Sequence, residues 1–135
     1  MGYTIQVMAQ SAENTAQILQ KCINLQELQE YYPLDVKGKP KQLYVMQHGV
    51  SMPENLNVSK NGKAVVFLEK NEILTKGTDA FFLFRDFKVF QNSSNVAFVY
   101  YFNFDGSYKE YVAVELELKK AGDTWSITQS KIQRN

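Results

Sequence analysis

Residues 86–106, DFKVFQNSSNVAFVYYFNFDG, read as a hairpin whose arms are almost wholly aromatic and β-branched, the side chains that fit a pleated surface. The polar stretch QNSSN, residues 91–95, separates an arm at 80–90, AFFLFRDFKVF, from a second at 96–104. In the second arm Phe98, Tyr100, Phe102 and Phe104 share one face while Val99 and Tyr101 take the other, so both faces need cover. Twelve of the eighteen aromatic residues fall between 80 and 111, more than one face of two strands requires. Three covers compete for the surplus: an N-terminal helix, the sheet of a second subunit, or a bound apolar ligand.

The first arm leaves its orientation open. With even positions inward, Asp86 lies among Phe82, Phe84 and Phe90; with odd positions inward, Arg85 does. A bulge at this Arg-Asp pair re-aims either one.

Downstream, residues 110–118 alternate cleanly. Val112, Val114, Leu116 and Leu118 take one face and Tyr111, Glu115 and Glu117 the other, as in a sheet with one side in the core and one in water. After a turn at Gly122-Asp123 comes a last strand, TWSITQSKIQR. Upstream, LNVSK and KAVVFLE flank Asn61-Gly62, a dipeptide suited to a tight turn with positive φ at both central residues, and QLYVMQ at 42–47 is a short strand. Residues 11–33 make the predicted helical region. Ser11 is placed to cap it, and Ala12, Ala16, Leu19 and Ile23 recur at helical spacing beside Ile18, Cys22 and Leu25. Asn24 and Glu27 have capping-box spacing, so the helix is expected to break near Asn24 and restart before Pro33.

At 135 residues, 44% hydrophobic and 21% charged, the chain is sized for one folded domain, expected over 11–135. Residues 1–10 are expected to be the remnant of an export signal, with TIQVMAQSAE closing an apolar run on small residues, or else a disordered lead or a short strand through Tyr3, Ile5 and Val7. The expected location is therefore periplasmic or extracellular. Fifteen Lys+Arg against fourteen Asp+Glu leave a net charge of +1, which argues against a nucleic-acid partner. No run is long enough to span a bilayer. Lys37, Lys39 and Lys41 cluster in VKGKPKQ, a loop without the spacing of a phosphate cradle. Cys22 reads as a small buried hydrophobe, although His48, the single histidine, is its conceivable activating partner. The chain has no metal-ligand spacing and no nucleophile elbow, and no cofactor is expected.

The stretch from Phe84 to Arg134 resembles the C-terminal sheet of the cystatin-like superfold, and in particular of the nuclear transport factor two-like superfamily. The likeness covers roughly residues 80–134. It rests on a strand, a short polar turn, two further strands, and a last strand whose Gly122, Asp123, Trp125 and Ile127 match a G-[DE]-x-W-x-[IV] setting. The resemblance implies an α+β domain in which a curved antiparallel sheet wraps the N-terminal helix as a cone. It also implies either a pocket or dimerisation through the sheet face. The protease-inhibiting Gln-x-Val-x-Gly hairpin of cystatins is missing, since QHGVS does not match it.

These readings lead to a non-enzymatic binding domain of an exported protein, holding a small apolar ligand or a protein partner. Phe82, Phe84, Phe98, Tyr100 and Phe102 are the candidate ligand-binding residues. The alternative is a small cone-type isomerase, dehydratase or hydrolase with Asp86 or Tyr100 as its acid/base, whose pKa an apolar wall would shift. The second alternative is a module that only dimerises.

Overall fold

A computed structural model describes residues 2–50, 52–53 and 56–135, with side chains in the first helix from Ala12 onward. Helix α1 (Gly2–Ile23) leads to a 3-10 helix (Gln26–Tyr31) and strand β1 (Tyr44–Gln47). Then come a small hairpin of β2 (Ser59–Lys60) and β3 (Lys63–Ala64), strand β4 (Val66–Glu69) and helix α2 (Lys70–Thr75). Four long strands finish the chain: β5 (Phe81–Val89), β6 (Ser93–Tyr101), β7 (Tyr111–Ala121) and β8 (Thr124–Arg134). The architecture is α+β, with an open six-stranded sheet in the order β4-β1-β5-β6-β7-β8.

The sheet is mixed rather than wholly antiparallel. Strands β5 to β8 form the expected meander, but β1 runs parallel to both of its neighbours, β4 and β5. Parallel neighbours need a crossover, and α2 with its flanking turns carries the chain from β4 to β5. Asn61 and Gly62 do turn the β2–β3 hairpin, at φ 54° and 78°, but its second arm pairs for only two residues before β4 leaves to join the main sheet. Helix α2 is not legible in the sequence because six residues carry too little periodicity. Its start is nevertheless a full capping box, in which the Glu69 side chain accepts from the backbone of Glu72 and the Glu72 side chain accepts from the backbone N–H of Glu69, at 3.0 Å.

Helix α1 begins at Gly2, not at Ser11, so residues 2–10 are helical rather than the short strand through Tyr3, Ile5 and Val7. Ile5, Ala9, Ala12 and Ala16 extend the apolar spacing backwards, and no Pro or Gly interrupts it after Gly2. The expected Ser11 cap concerns a side chain outside the described ones. The helix ends after Ile23, at the expected place, but the chain continues into a 3-10 turn without a side-chain cap, its N-cap position held by Leu25. The Asn24 side chain instead accepts from Gln20 at 3.3 Å. The Ile23 carbonyl, left open where the helix ends, accepts from Gln29 Nε2 at 3.2 Å and Tyr32 Oη at 2.7 Å.

Apolar layers cover both faces of the sheet. On the inner face the stripe Ile18, Leu19, Cys22 and Ile23 of α1 meets Phe82, Phe84, Phe98, Tyr100, Val112, Val114, Leu116 and Trp125. Each fully buried large side chain here contributes roughly 1.5–3 kcal/mol, which makes this layer the main stabilising element. The outer face carries a smaller layer of Met46, Leu68, Ile73, Phe81, Val99 and Tyr101 under α2. Phe104 belongs to this outer layer, against the sequence reading that placed it with Phe98, Tyr100 and Phe102. Asn103 adopts φ 49°, the chain leaves the strand, and Phe104 meets Phe81 and Tyr108 at ring distances of 5.0 Å.

Candidate binding surface

The five aromatic residues singled out as ligand-binding are brought together on the inner face. Phe82 lies 4.7 Å from Tyr100 and 5.7 Å from Phe98 between ring centroids, Phe84 lies 5.0 Å from Phe98, and Tyr100 lies 6.5 Å from Phe102. These are the spacings of rings packed against one another. All five are buried, Tyr32 closes edge-on over Phe82 and Tyr100, and Tyr31 stacks on Phe102 at 4.7 Å. Arg134 completes this end of the layer, its guanidinium 5.2 Å from the Tyr31 ring and 5.1 Å from that of Phe102.

Tyr100 carries one unusual feature in this layer. Its residue exposure is zero and its hydroxyl has no hydrogen-bond partner among the described residues. Burial, and to a lesser degree the charge of Asp79, raises its phenol far above the ordinary value, so it stays protonated through the whole physiological range. Tyr32 is raised in the same way by burial, with Tyr100 and Cys22 adding to it. A phenol that releases its proton only at extreme alkaline pH is poorly matched to acid–base work near neutrality. Cys22 is fully buried and its thiol is pushed far up by burial, whereas His48 is exposed, so the conceivable Cys-His pair is not assembled.

The orientation of β5 is decided by a bulge. Phe84 pairs with Phe98 and Asp86 with Ala97, which leaves Arg85 as the extra residue. Before it, Phe82 and Phe84 point inward; after it, Phe87 and Val89 pack on the inner layer, while Phe90 is 53% exposed. Neither of the simple alternations therefore holds along the whole strand. Arg85 and Asp86 both come out on the outer face: Arg85 Nη2 lies 3.5 Å from Tyr101 Oη, and the half-exposed Asp86 carboxylate lies 3.8 Å from Lys88 Nζ.

Below α2, toward the hairpin turns, no apolar lid covers the outer face among the described residues. Two contiguous shallow depressions of about 360 and 250 Å³ run across β5 to β8 and share Ala97, Glu115 and Lys131. Ala97 and Ala113, the small residues of adjacent strands, lower the floor. Around it stand carboxylates (Asp86, Glu115, Glu117) and cations (Arg85, Lys131), with Glu115 facing Lys131 in register across β7 and β8. Sequence alternation alone puts Glu115 and Glu117 on this side; the contribution of β5 depends on the bulge.

A third, polar depression lies where α1 meets the hairpin turns, lined by Glu13, Asn14, Gln17, Gln91, Asn92, Lys120, Gly122 and Asp123. Its organising residue is Asn14, whose Oδ1 accepts from Trp125 Nε1 and Lys120 Nζ, each at 3.2 Å. That bond lets the fully buried Trp125 satisfy its indole N–H. Among the described residues no helix is long and apolar enough to cross a membrane. Comparison of the chain with protein-family models, with curated proteins and with solved structures found no match.

Proposed function

We propose that the chain is a non-enzymatic binding domain of an exported protein, that its site is the open groove on the outer face of β5 to β8, and that a second copy of the chain is the partner it fits. The observation that carries this reading is the groove's charge pattern. Carboxylates of β5 and β7 and cations of β5 and β8 border one floor of small residues, so a two-fold axis through the groove can set acids of one copy against bases of the other. The inner aromatic layer speaks less for a ligand, because its rings already fill one another's contact surface. The fold is in keeping with a cystatin-like domain: a helix lies on one side of a sheet whose last four strands form a meander.

A small apolar ligand is the second reading, and the partnerless hydroxyl of Tyr100 favours it, since a buried donor without an acceptor is one a ligand would satisfy. Sedimentation equilibrium together with native mass spectrometry separates the two. The dimer reading expects a concentration-dependent two-fold mass, weakened at least about tenfold by Ala113→Arg on the groove floor, with the thermal midpoint unchanged. A monomer at all concentrations, or a dimer indifferent to that substitution, refutes it. Extra mass lost on denaturation transfers the function to the inner layer.

A further inference from the structure

Between the 3-10 helix and β1 the chain folds back on itself as a miniature hairpin. Lys41 N donates to Pro33 O at 3.0 Å, Asp35 N to Lys39 O at 2.8 Å, and Gly38 N to Asp35 O at 2.9 Å, with Leu34 bridged to Pro40. The Asp35 carboxylate then accepts from the backbone N–H groups of Lys37 and Lys39, at 2.8 and 2.9 Å. Gly38 closes the turn at φ 78°, a conformation that disfavours any side chain with a Cβ. Val36 and Lys37 are therefore the two central residues of a tight, internally braced turn that projects from the body.

The tip is apolar where a solvated loop would be polar. Val36 is completely exposed and Leu34 is 60% exposed, the two most exposed large hydrophobic residues described. Around them stand Lys37, Lys39 and Lys41. Lys63 of the neighbouring β2–β3 hairpin adds a fourth cation, its Nζ donating to Pro40 O at 3.0 Å. Among the described residues the counter-charges are Asp35, whose Oδ1 accepts both of the turn's N–H groups, and Asp79, 3.4 Å from Lys41 Nζ. A net charge of +1 over the whole chain conceals this local excess of positive charge.

A rigid turn with an exposed aliphatic tip and a ring of lysines has the chemistry of an anionic lipid surface. The aliphatic side chains enter the acyl boundary while the ammonium groups stay at the headgroups. An acidic protein would reward the lysines but has no use for a fully exposed valine in front of them. We infer that the 33–41 turn is a peripheral docking loop for a membrane rich in anionic phospholipid, an attachment independent of the sheet groove.

Cosedimentation with vesicles of mixed phosphatidylserine and phosphatidylcholine, against vesicles of phosphatidylcholine alone, tests this. The expected result is binding to the mixed vesicles only, falling as salt rises, because each lysine near the surface adds about fivefold to partitioning and is screened beyond a Debye length. Val36→Asp and Lys39→Glu are each expected to lower partitioning about tenfold or more, with Val36→Ser intermediate. Circular dichroism and the thermal midpoint should not move for Val36→Asp, since that side chain is wholly in solvent. The inference is overturned by failure to bind the mixed vesicles, or by equal binding to both kinds. It is also overturned if binding is lost in Lys39→Glu and kept in Val36→Asp, which would identify a purely electrostatic surface of the kind an acidic protein recognises.

Discussion

Tyr100 is where the residue-level chemistry bears most directly on function. Because its hydroxyl is buried and bonded to none of the described residues, Tyr100→Phe removes a desolvated polar group and leaves the ring packing in place. Urea denaturation is expected to show a variant as stable as the parent, or more stable by up to about 1 kcal/mol. A clear loss of stability would mean that the hydroxyl has a partner after all, and points to the ligand reading. Asp35 is the second informative residue. The backbone N–H groups of Lys39 and Lys37, in that order, hold its carboxyl below the ordinary value, with Lys63 and Lys41 assisting. The depressed pKa means that the charged form braces the turn at all pH values above the carboxylate range. The bracing is lost only as pH falls below about 4, through the lowered pKa. Amide protection factors at Lys37 and Lys39, followed by NMR and referred to the intrinsic exchange rate at each pH, should therefore hold at neutral pH and fall in acid before those of the sheet; a simultaneous fall would show that the carboxylate does not hold the turn. The turn's lysines and its Gly-Pro framing were legible in the sequence, but its bracing was not, because a side chain accepting from backbone two and four residues ahead leaves no mark in hydropathy.

At the scale of elements, strand β5 shows how one residue controls which side chains a sheet presents. Arg85 is the surplus residue of the bulge, so the inward set changes from Phe82 and Phe84 to Phe87 and Val89. Deleting Arg85 leaves Phe82, Phe84, Phe87 and Val89 in strict alternation, all still on the inner face. The deletion variant is accordingly expected to fold with stability within about 1 kcal/mol of the parent. The local twist that a bulge imparts would be lost, and with it the shape of the outer groove. A dimer that weakens in a folded deletion variant supports the groove as the contact; an unfolded variant would mean the bulge is required by the sheet's curvature. The aromatic surplus also finds its explanation among the elements. Phe81, Tyr101, Phe104, Tyr108 and Tyr111 lie on the outer face, where α2 and the segment after β6 are the cover. That cover is absent from the three that the sequence suggests.

For the molecule as a whole, two apolar layers of unequal size share one sheet, and their burial orders its stability. Strands β6 and β7 are flanked on both edges and supply most of the strand residues buried in the inner layer, whereas β2 and β3 pair only with each other and are largely exposed. Native-state hydrogen exchange is expected to be slowest in β6 and β7 and fastest in the β2–β3 hairpin, with β4 and α2 opening before the central strands. Uniform protection across the sheet would contradict this ordering. What the sequence determined by itself were the local features: the helical stripe and its end at Ile23, the Asn-Gly turn, the long strands of the meander and the alternation of β7. Each depends on periodicity or turn chemistry within a few residues, and those are written in the chain. Only the tertiary structure decided that β1 lies parallel between β4 and β5, that Arg85 is looped out of register, and that Phe104 crosses to the other face. It also decided that the groove combines side chains from four strands. These outcomes depend on which distant segments meet and on which face each is covered, a balance of packing between parts that no single stretch of sequence contains.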